Sequence, residues 1–415
     1  MKAVVFTLGC KVNECESDGI ISALLNAGYE VSDRLICADL YIVNTCAVTA
    51  EAEKKSRQMA SRIKKLNANA KIIFTGCATQ KSPQSFVDKA ENCLVTGVFK
   101  KGEIINLINE KGLHIFEENK EYEEMPFVKS LRTRTYIKVQ DGCNNFCSYC
   151  IIPYLRGRSR SRNPESVLKE IVSLKPQEAI INGINLSSYN FNGKNLRDLM
   201  EYIKGVDCRI RLGSLEVNVI DKEFLQTLTK FKNFARHFHL SLQSGSDDVL
   251  KKMNRKYSAN EFIEKVNLIR EYFPNAGITT DIIVGFPSET EQDFINTLNL
   301  CDKVEFSDIH VFVFSPRKGT KAYEMIDLPM AVKKQREKQL LEKKEFYKSK
   351  FIASQLNKIV NVIIEDKKDG YFRGYSENYI KVYLPCESIK NIQSDRQIKV
   401  KLTMPFLDGA MAQII

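Results

Sequence analysis

The 415-residue sequence predicts an α/β protein with three parts: an N-terminal open parallel-sheet domain, a central partial (β/α)6 barrel and a small all-β module. Three observations predict this. Short apolar runs alternate with helical patterns from residue 3 to residue 315, the signature of βαβ units and parallel sheets. An acidic stretch, FEENKEYEEMP (116–126), splits that series in two and reads as a solvated linker. The last stretch then changes to short alternating strands joined by tight turns. The expected boundaries are 1–115, a linker 116–130, a barrel 131–345 and the module 346–415.

In the first part, AVVFTL (3–8), LYIVN (40–44) and KIIFTG (71–76) read as buried strands, with CLVTG (93–97) as a weaker fourth. Helical patterns fill Glu16–Ala27 and the Lys/Arg-rich Ala50–Leu66. From Thr135 a second series begins, with strands at 135–140, 179–183, 208–213, 237–243, 278–285 and 310–315. Helical patterns separate them, for example 164–174, 196–203 and 293–304. Six βα repeats without a closing pair suit a partial barrel, whose active site is expected at the C-terminal ends of its strands. Residues 331–360 read as a long basic helix with nine Lys or Arg against three Glu. Four strands follow, NKIVNVIIE, GYFRGYSE, NYIKVYLP and QIKVKLTM, with turns at Asp369-Gly370, Glu377-Asn378 and Asp408-Gly409.

Composition narrows the function. No run of about 18 apolar residues occurs, so no membrane span is expected. MKAVVFTLGC is apolar but breaks at Gly9-Cys10-Lys11 with no cleavage site, which reads as a strand and a cytoplasmic protein. The formal net charge of +11 suits a polyanionic partner such as nucleic acid, although a Lys-rich host would give the same excess. Twelve cysteines without export argue for metal or redox chemistry over disulfides. None of the four histidines, His114, His237, His239 and His310, lies within a few residues of a cysteine, which disfavours mixed Cys/His zinc sites.

The cysteines fall into two sets of three. Cys143, Cys147 and Cys150 stand in C-x3-C-x2-C on one loop just after the first barrel strand. Structural zinc would want a fourth protein ligand. Three thiolates instead leave one iron of a [4Fe–4S] cube open, able to chelate the amino and carboxylate groups of a methionine-like ligand. Cys10, Cys46 and Cys77 each follow an apolar strand, in TLGC, VNTC and FTGC, at intervals fitting one βα unit. In a parallel sheet such positions converge on one edge. Cysteine serving as a small buried hydrophobe is the competing reading. Cys15, Cys37, Cys93, Cys208, Cys301 and Cys386 have no such company.

With these residues in view the chain resembles the methylthiotransferase family of radical S-adenosylmethionine (SAM) enzymes. The resemblance is carried by TLGCKVNECES, IVNTCAVT, FTGCATQ, IKVQDGCNNFCSYCIIPYLRGRSRSR and HLSLQSGSDDVLKKMNRKYS, and it covers almost the whole chain. It implies a methylthiotransferase domain, a radical SAM barrel and a terminal TRAM-like RNA-binding module. The K-V-N after Cys10 and the D-G-C-N-N-F-C context resemble the branch that modifies N6-threonylcarbamoyladenosine at tRNA position 37. Branches acting on isopentenyladenosine or on a ribosomal-protein aspartate are the alternatives, and a non-catalytic iron–sulfur RNA-binding protein is the distant one.

The resemblance implies two [4Fe–4S] clusters and SAM as radical source and methyl donor. Cys143, Cys147 and Cys150 would hold the cluster that cleaves SAM, and Cys10, Cys46 and Cys77 the auxiliary cluster, with Asn13 beside it. The partners implied are a tRNA anticodon stem-loop, an electron donor such as flavodoxin or ferredoxin, and a sulfur source. By their place at strand ends, Gly183, Asn185, Glu216, Gln243, Ser244 and Gly285 are candidate SAM contacts, although Val217 and the N-G-I-N stretch depart from common patterns. Ordinary turn and packing roles compete for each.

Arg156, Arg158, Arg160 and Arg162 alternate and, in an extended segment, would share one face for phosphates. A solvated charge run is the alternative. Arg156 and Arg373 are candidates to meet the threonylcarbamoyl carboxylate. Tyr371, Phe372, Tyr375 and Tyr379 read either as stacking partners for loop bases or as module core.

Overall fold

A computed structural model describes residues 1–89, 92–127, 133–388 and 397–415 of the chain. The N-terminal part is a six-stranded parallel sheet of β1 (Lys2–Thr7), β2 (Glu30–Ser32), β3 (Leu40–Thr45), β4 (Lys71–Gly76), β5 (Cys93–Thr96) and β6 (Gly112–His114). Their order is β2-β1-β3-β4-β5-β6. Central β3 is buried along its whole length, which is why LYIVNT reads as one apolar run. Helices α1 (Lys11–Asn26) and α2 (Ala50–Leu66) cross between strands, and α3 (Cys77–Lys81) leaves β4 directly. Thr49 caps α2, with Glu51 and Glu53 in its first turn and Lys64 and Lys65 in its last, complementing the helix dipole. Two short strands, β2 and β6, complete the four expected.

The central barrel strands are β7 (Arg134–Asp141), β9 (Glu178–Gly183), β12 (Arg209–Leu212), β14 (His237–Gln243), β15 (Gly277–Val284) and β16 (Asp308–Val313). Shorter pieces are β8 (Arg160–Ser161), the hairpin β10 (Asn190–Phe191) and β11 (Lys194–Asn195), and β13 (Ser214–Leu215). They form two sheets, β12-β9-β7-β8 and β13-β14-β15-β16, meeting at Gly213. A Cβ there would stand 2.9 Å from Asn182 Oδ1 and 3.1 Å from Ile181 O, a close approach that glycine eases. The six long strands match the expected six, and the barrel stays open beside β16.

Helix Met330–Gln355 packs against β16 and runs through the expected boundary at 345 without a break. The module beyond it is a closed barrel of five strands, β17 (Ile359–Lys368), β18 (Tyr371–Ser376), β19 (Lys381–Pro385), β20 (Gln397–Phe406) and β21 (Gly409–Ile414). The fifth strand, GAMAQI, escapes the sequence reading because its inward residues are the small Ala410 and Ala412. The linker is also more than a solvated tether. Tyr122 donates its hydroxyl to Lys138 O at 2.7 Å, and the Glu123 carboxylate accepts from the backbone N–H groups of Lys100 and Gly102. Residues 128–130 of that linker lie outside the described residues.

The module is docked under the barrel. Its loop between β18 and β19 reaches the N-terminal ends of the barrel strands, where Tyr379 stacks on His237 with ring centroids 4.4 Å apart. Fully buried Arg209 pairs with Glu178 and donates to Asn361 O and Tyr375 O of the module. Glu178 also pairs with Arg211 at 2.7 Å. Burial pushes the Glu178 pKa up, but the Arg211 and Arg209 guanidiniums outweigh it and hold the carboxyl at about 2.

A carboxyl depressed from about 4.3 contributes stability above that value and loses it as pH falls through the folded pKa. Glu178→Gln therefore costs about 3 kcal/mol at pH 7. In urea unfolding, the difference between parent and variant is expected to shrink from pH 4.5 to pH 2.

Candidate active site

Both cysteine triplets face one cavity of about 550 Å³, lined by all six thiol-bearing residues. The first triplet stands at the C-terminal ends of three adjacent parallel strands: Cys10 at the start of α1, Cys46 just after β3 and Cys77 opening α3. Close approach of these strand ends requires the glycines in TLGC and FTGC. A Cβ on Gly9, at φ +111°, would lie 2.7 Å from Cys46 Cβ, and one on Gly76, at φ +108°, 2.5 Å from Thr45 O. Asn13 ties the edge together. Its Nδ2 donates to Leu8 O at 2.8 Å and Thr45 O at 3.0 Å, while its Oδ1 accepts from Arg156.

The second triplet sits on the loop after β7. Gly142, at φ +70°, starts the turn where a side chain would strike Arg158 O, and Cys143 N–H donates to Gly157 O at 3.1 Å. Gln140 braces the loop through Asp141 O and Gly142 O, and accepts Asn185 N–H at 2.8 Å. Polar hydrogens already point at several sulfurs: Arg255 at Cys147 (3.4 Å), Asn185 at Cys143 (3.8 Å), Arg156 at Cys77 (3.4 Å) and Val48 N–H at Cys46 (3.4 Å). Burial first, and then the other sulfurs of each triplet, push Cys46 and Cys150 up to about 12. Three thiolates crowded this way need a cationic core between them. Each site is thus a three-sulfur cradle with donors on its sulfurs and room alongside, which fits a cube cluster with one open iron.

The two cradles are held in register by a buried ionic network. Glu16 of α1 receives Lys101, Lys138 (2.7 Å) and Arg156 (2.7 Å), and Asp141 of β7 receives Lys138 (2.7 Å) and Arg156 (3.1 Å). Burial works against the Glu16 charge, but Arg156, Lys101 and Lys138 hold its carboxyl well below the usual range.

Of the expected SAM contacts, Gly183, Asn185, Glu216 and Gln243 line the cavity. Glu216 accepts from Asn145 at 2.7 Å and pairs with Arg255 at 2.8 Å. Ser244 and Gly285 are not cavity residues. Ser244 is fully buried and bonded to Thr297, while Gly285 donates to Glu289 and is covered by Lys333.

The arginine stripe does not form. Arg156 ends helix Ile152–Arg156 fully buried, Arg160 accompanies it near Asp141, and Arg162 is buried against Glu124 and Glu170. Only Arg158 is exposed. Arg373 pairs with Asp366 in the module and does not line the cavity. The basic helix likewise spends charge internally, with Lys333 on Asp327, Arg336 on Glu289 and Lys343 on Asp302. Tyr375 and Tyr379 stack on one another at the barrel floor, and Tyr371 packs with Tyr383 and Phe406.

Sequence reading missed Lys11, Arg255 and a cluster of His239, Asp281 and His310 on β14, β15 and β16, all at the cavity. Asp281 accepts from His239 at 3.2 Å and His310 at 3.1 Å. The available signal was a polar residue in the middle of each of three successive apolar strands.

Comparison with known proteins agrees with this architecture. Residues 137–301 match the Radical SAM superfamily and residues 2–97 the uncharacterized protein family UPF0004. The chain is 41% identical to the threonylcarbamoyladenosine tRNA methylthiotransferase MtaB of Thermotoga maritima, over 92% of this chain and 91% of that one. The chain belongs to the radical SAM methylthiotransferase family. MtaB of Bacillus subtilis is 36% identical, covering 92% and 90% of the two chains. The tRNA-2-methylthio-N(6)-dimethylallyladenosine synthase of the same organism is 32% identical, over 99% and 86%. Among solved structures, the radical SAM methyltransferase TsrM from Kitasatospora setae shares the fold, with a TM-score of 0.57 and 14% identity over 78% of this chain and 77% of that one. Methylthiotransferases of this family use SAM and [4Fe–4S] clusters, and no helix among the described residues is long and apolar enough to cross a membrane.

Removing the acid at the centre of the network strands its cations. Glu16→Gln is expected to cost about 3–5 kcal/mol by urea unfolding. Arg156→Met, which removes a cation and leaves Glu16 with two others, costs less.

Proposed function

We propose that this chain inserts sulfur at C2 of N6-threonylcarbamoyladenosine at tRNA position 37 and methylates it, giving the 2-methylthio product. The single observation that carries the reading is two three-cysteine cradles lining one cavity. A base lying between them faces both at once. The relatives named for threonylcarbamoyladenosine, at 36–41% identity, support this substrate over the alkylated one.

In this reading Cys143, Cys147 and Cys150 hold one [4Fe–4S] cluster and Cys10, Cys46 and Cys77 a second. The bound groups supply a reductively generated adenosyl radical on one side and transferable sulfur on the other. The chain's own residues orient and enclose. Asn145 and Arg255 fix Glu216 at the cavity wall, where its carboxylate suits the amino or ribose hydroxyl groups of SAM. Gly183 and Asn185 offer close backbone approach to the methionine end. Gln243, held at φ +69° at the end of β14, faces the same space. Arg156 places a positive charge against Cys77 without leaving the network. A one-electron donor of the flavodoxin or ferredoxin type, a sulfur source and a tRNA anticodon stem-loop complete the partners, in the cytoplasm.

Anaerobic reconstitution tests the cluster assignment: about eight irons per chain in the parent and about four when Cys10, Cys46 and Cys77 are all changed to Ala. SAM cleavage is expected to survive in that variant, while mass spectrometry of a threonylcarbamoyl stem-loop loses the methylthio product. Equal iron in both proteins would remove the sulfur-carrying cluster and the proposed reaction with it.

A further inference from the structure

The cations lining the cavity are of two kinds. Arg156 is neutralised by Glu16 and Asp141, and Arg255 by Glu216. Lys11 differs. Its side chain lines the cavity beside Cys10, and its ammonium makes no ion pair or hydrogen bond with any described residue. Asp281, the one carboxylate that favours its charge, already has both oxygens occupied by His239 and His310.

The helix end does not favour a lysine here. Lys11 is the first residue of α1, the positive end of the helix dipole, where a cation is unfavourable by about 0.3–1 kcal/mol. Burial and the nearby guanidiniums of Arg211 and Arg134 work against its charge, while Tyr379 and Asp281 favour it. A half-buried cation whose carboxylate neighbour is already taken is open to an arriving anion.

The substrate read above brings one. Its threonylcarbamoyl group ends in a free carboxylate, whereas an alkylated adenosine has none. C2 and the N6 substituent lie on either side of ring atom N1. A base presenting C2 to the cradles therefore keeps that substituent inside the same cavity. Resting on that substrate reading, we propose that Lys11 binds the threonylcarbamoyl carboxylate and so selects this nucleoside.

The test compares reconstituted holoenzyme on three stem-loops, carrying threonylcarbamoyladenosine, its methyl ester or isopentenyladenosine. For Lys11→Gln, kcat/KM on the acid is expected to fall about 10- to 100-fold, the range for a hydrogen bond to a charged group. Turnover of the ester stays near that of the parent, and Lys11→Arg restores most of the loss. Equilibrium binding of the acid and ester stem-loops should show the same change in ratio, a readout that general damage beside Cys10 would not produce. An equal loss on acid and ester, or no loss on the acid, overturns the proposal. A parent that prefers the isopentenyl stem-loop is seen before any variant is made, and overturns the substrate reading and this inference together.

Discussion

Two carboxylates surrounded by cations hold this molecule in its working shape. Glu16 belongs to the N-terminal sheet domain and Asp141 to the first barrel strand, and Arg156 and Lys138 each touch both. Removed from water, none of these charges is tolerable without the others. The domains therefore have one acceptable docking, and that docking sets the two cysteine cradles across a common space. Lys101, Asn44 and Asn13 extend the same network back to the strand ends that carry the first cradle. The network thereby keeps both cradles on one cavity.

Much of the fold is legible because its signals are local. Parallel strands buried on both faces must be apolar throughout, so LYIVNT, KIIFTG and ITTDIIV announce themselves. Where the inward residues are small, as in GAMAQI, the pattern fades. Charge is less legible still. The alternating arginines at 156–162 suggest a shared exposed face, yet three of the four turn inward to acids from α1, β7, the linker and helix Pro164–Leu174. No local pattern encodes those partners, because they come from segments up to 140 residues away.

The site shows the same division. Three thiols on one tight loop specify their chemistry by spacing, and strand-end cysteines by their place in a βα unit. The histidine–aspartate cluster and Arg255 gain meaning only when distant strands are brought together. Ser244 and Gly285 were assigned by strand-end logic alone. Their strands do end there, but a turn into Thr297 and the packing of Lys333 take the space a ligand would need.

The seat of the C-terminal module under the barrel has a further consequence. Tyr379 of the module stacks on His237 of the barrel and is flanked by Arg211 and Arg134. The module thus supplies an aromatic face on which two barrel guanidiniums and an imidazole rest. Cutting the chain after the long helix would strip the stacked ring from His237 and uncover the two arginines together.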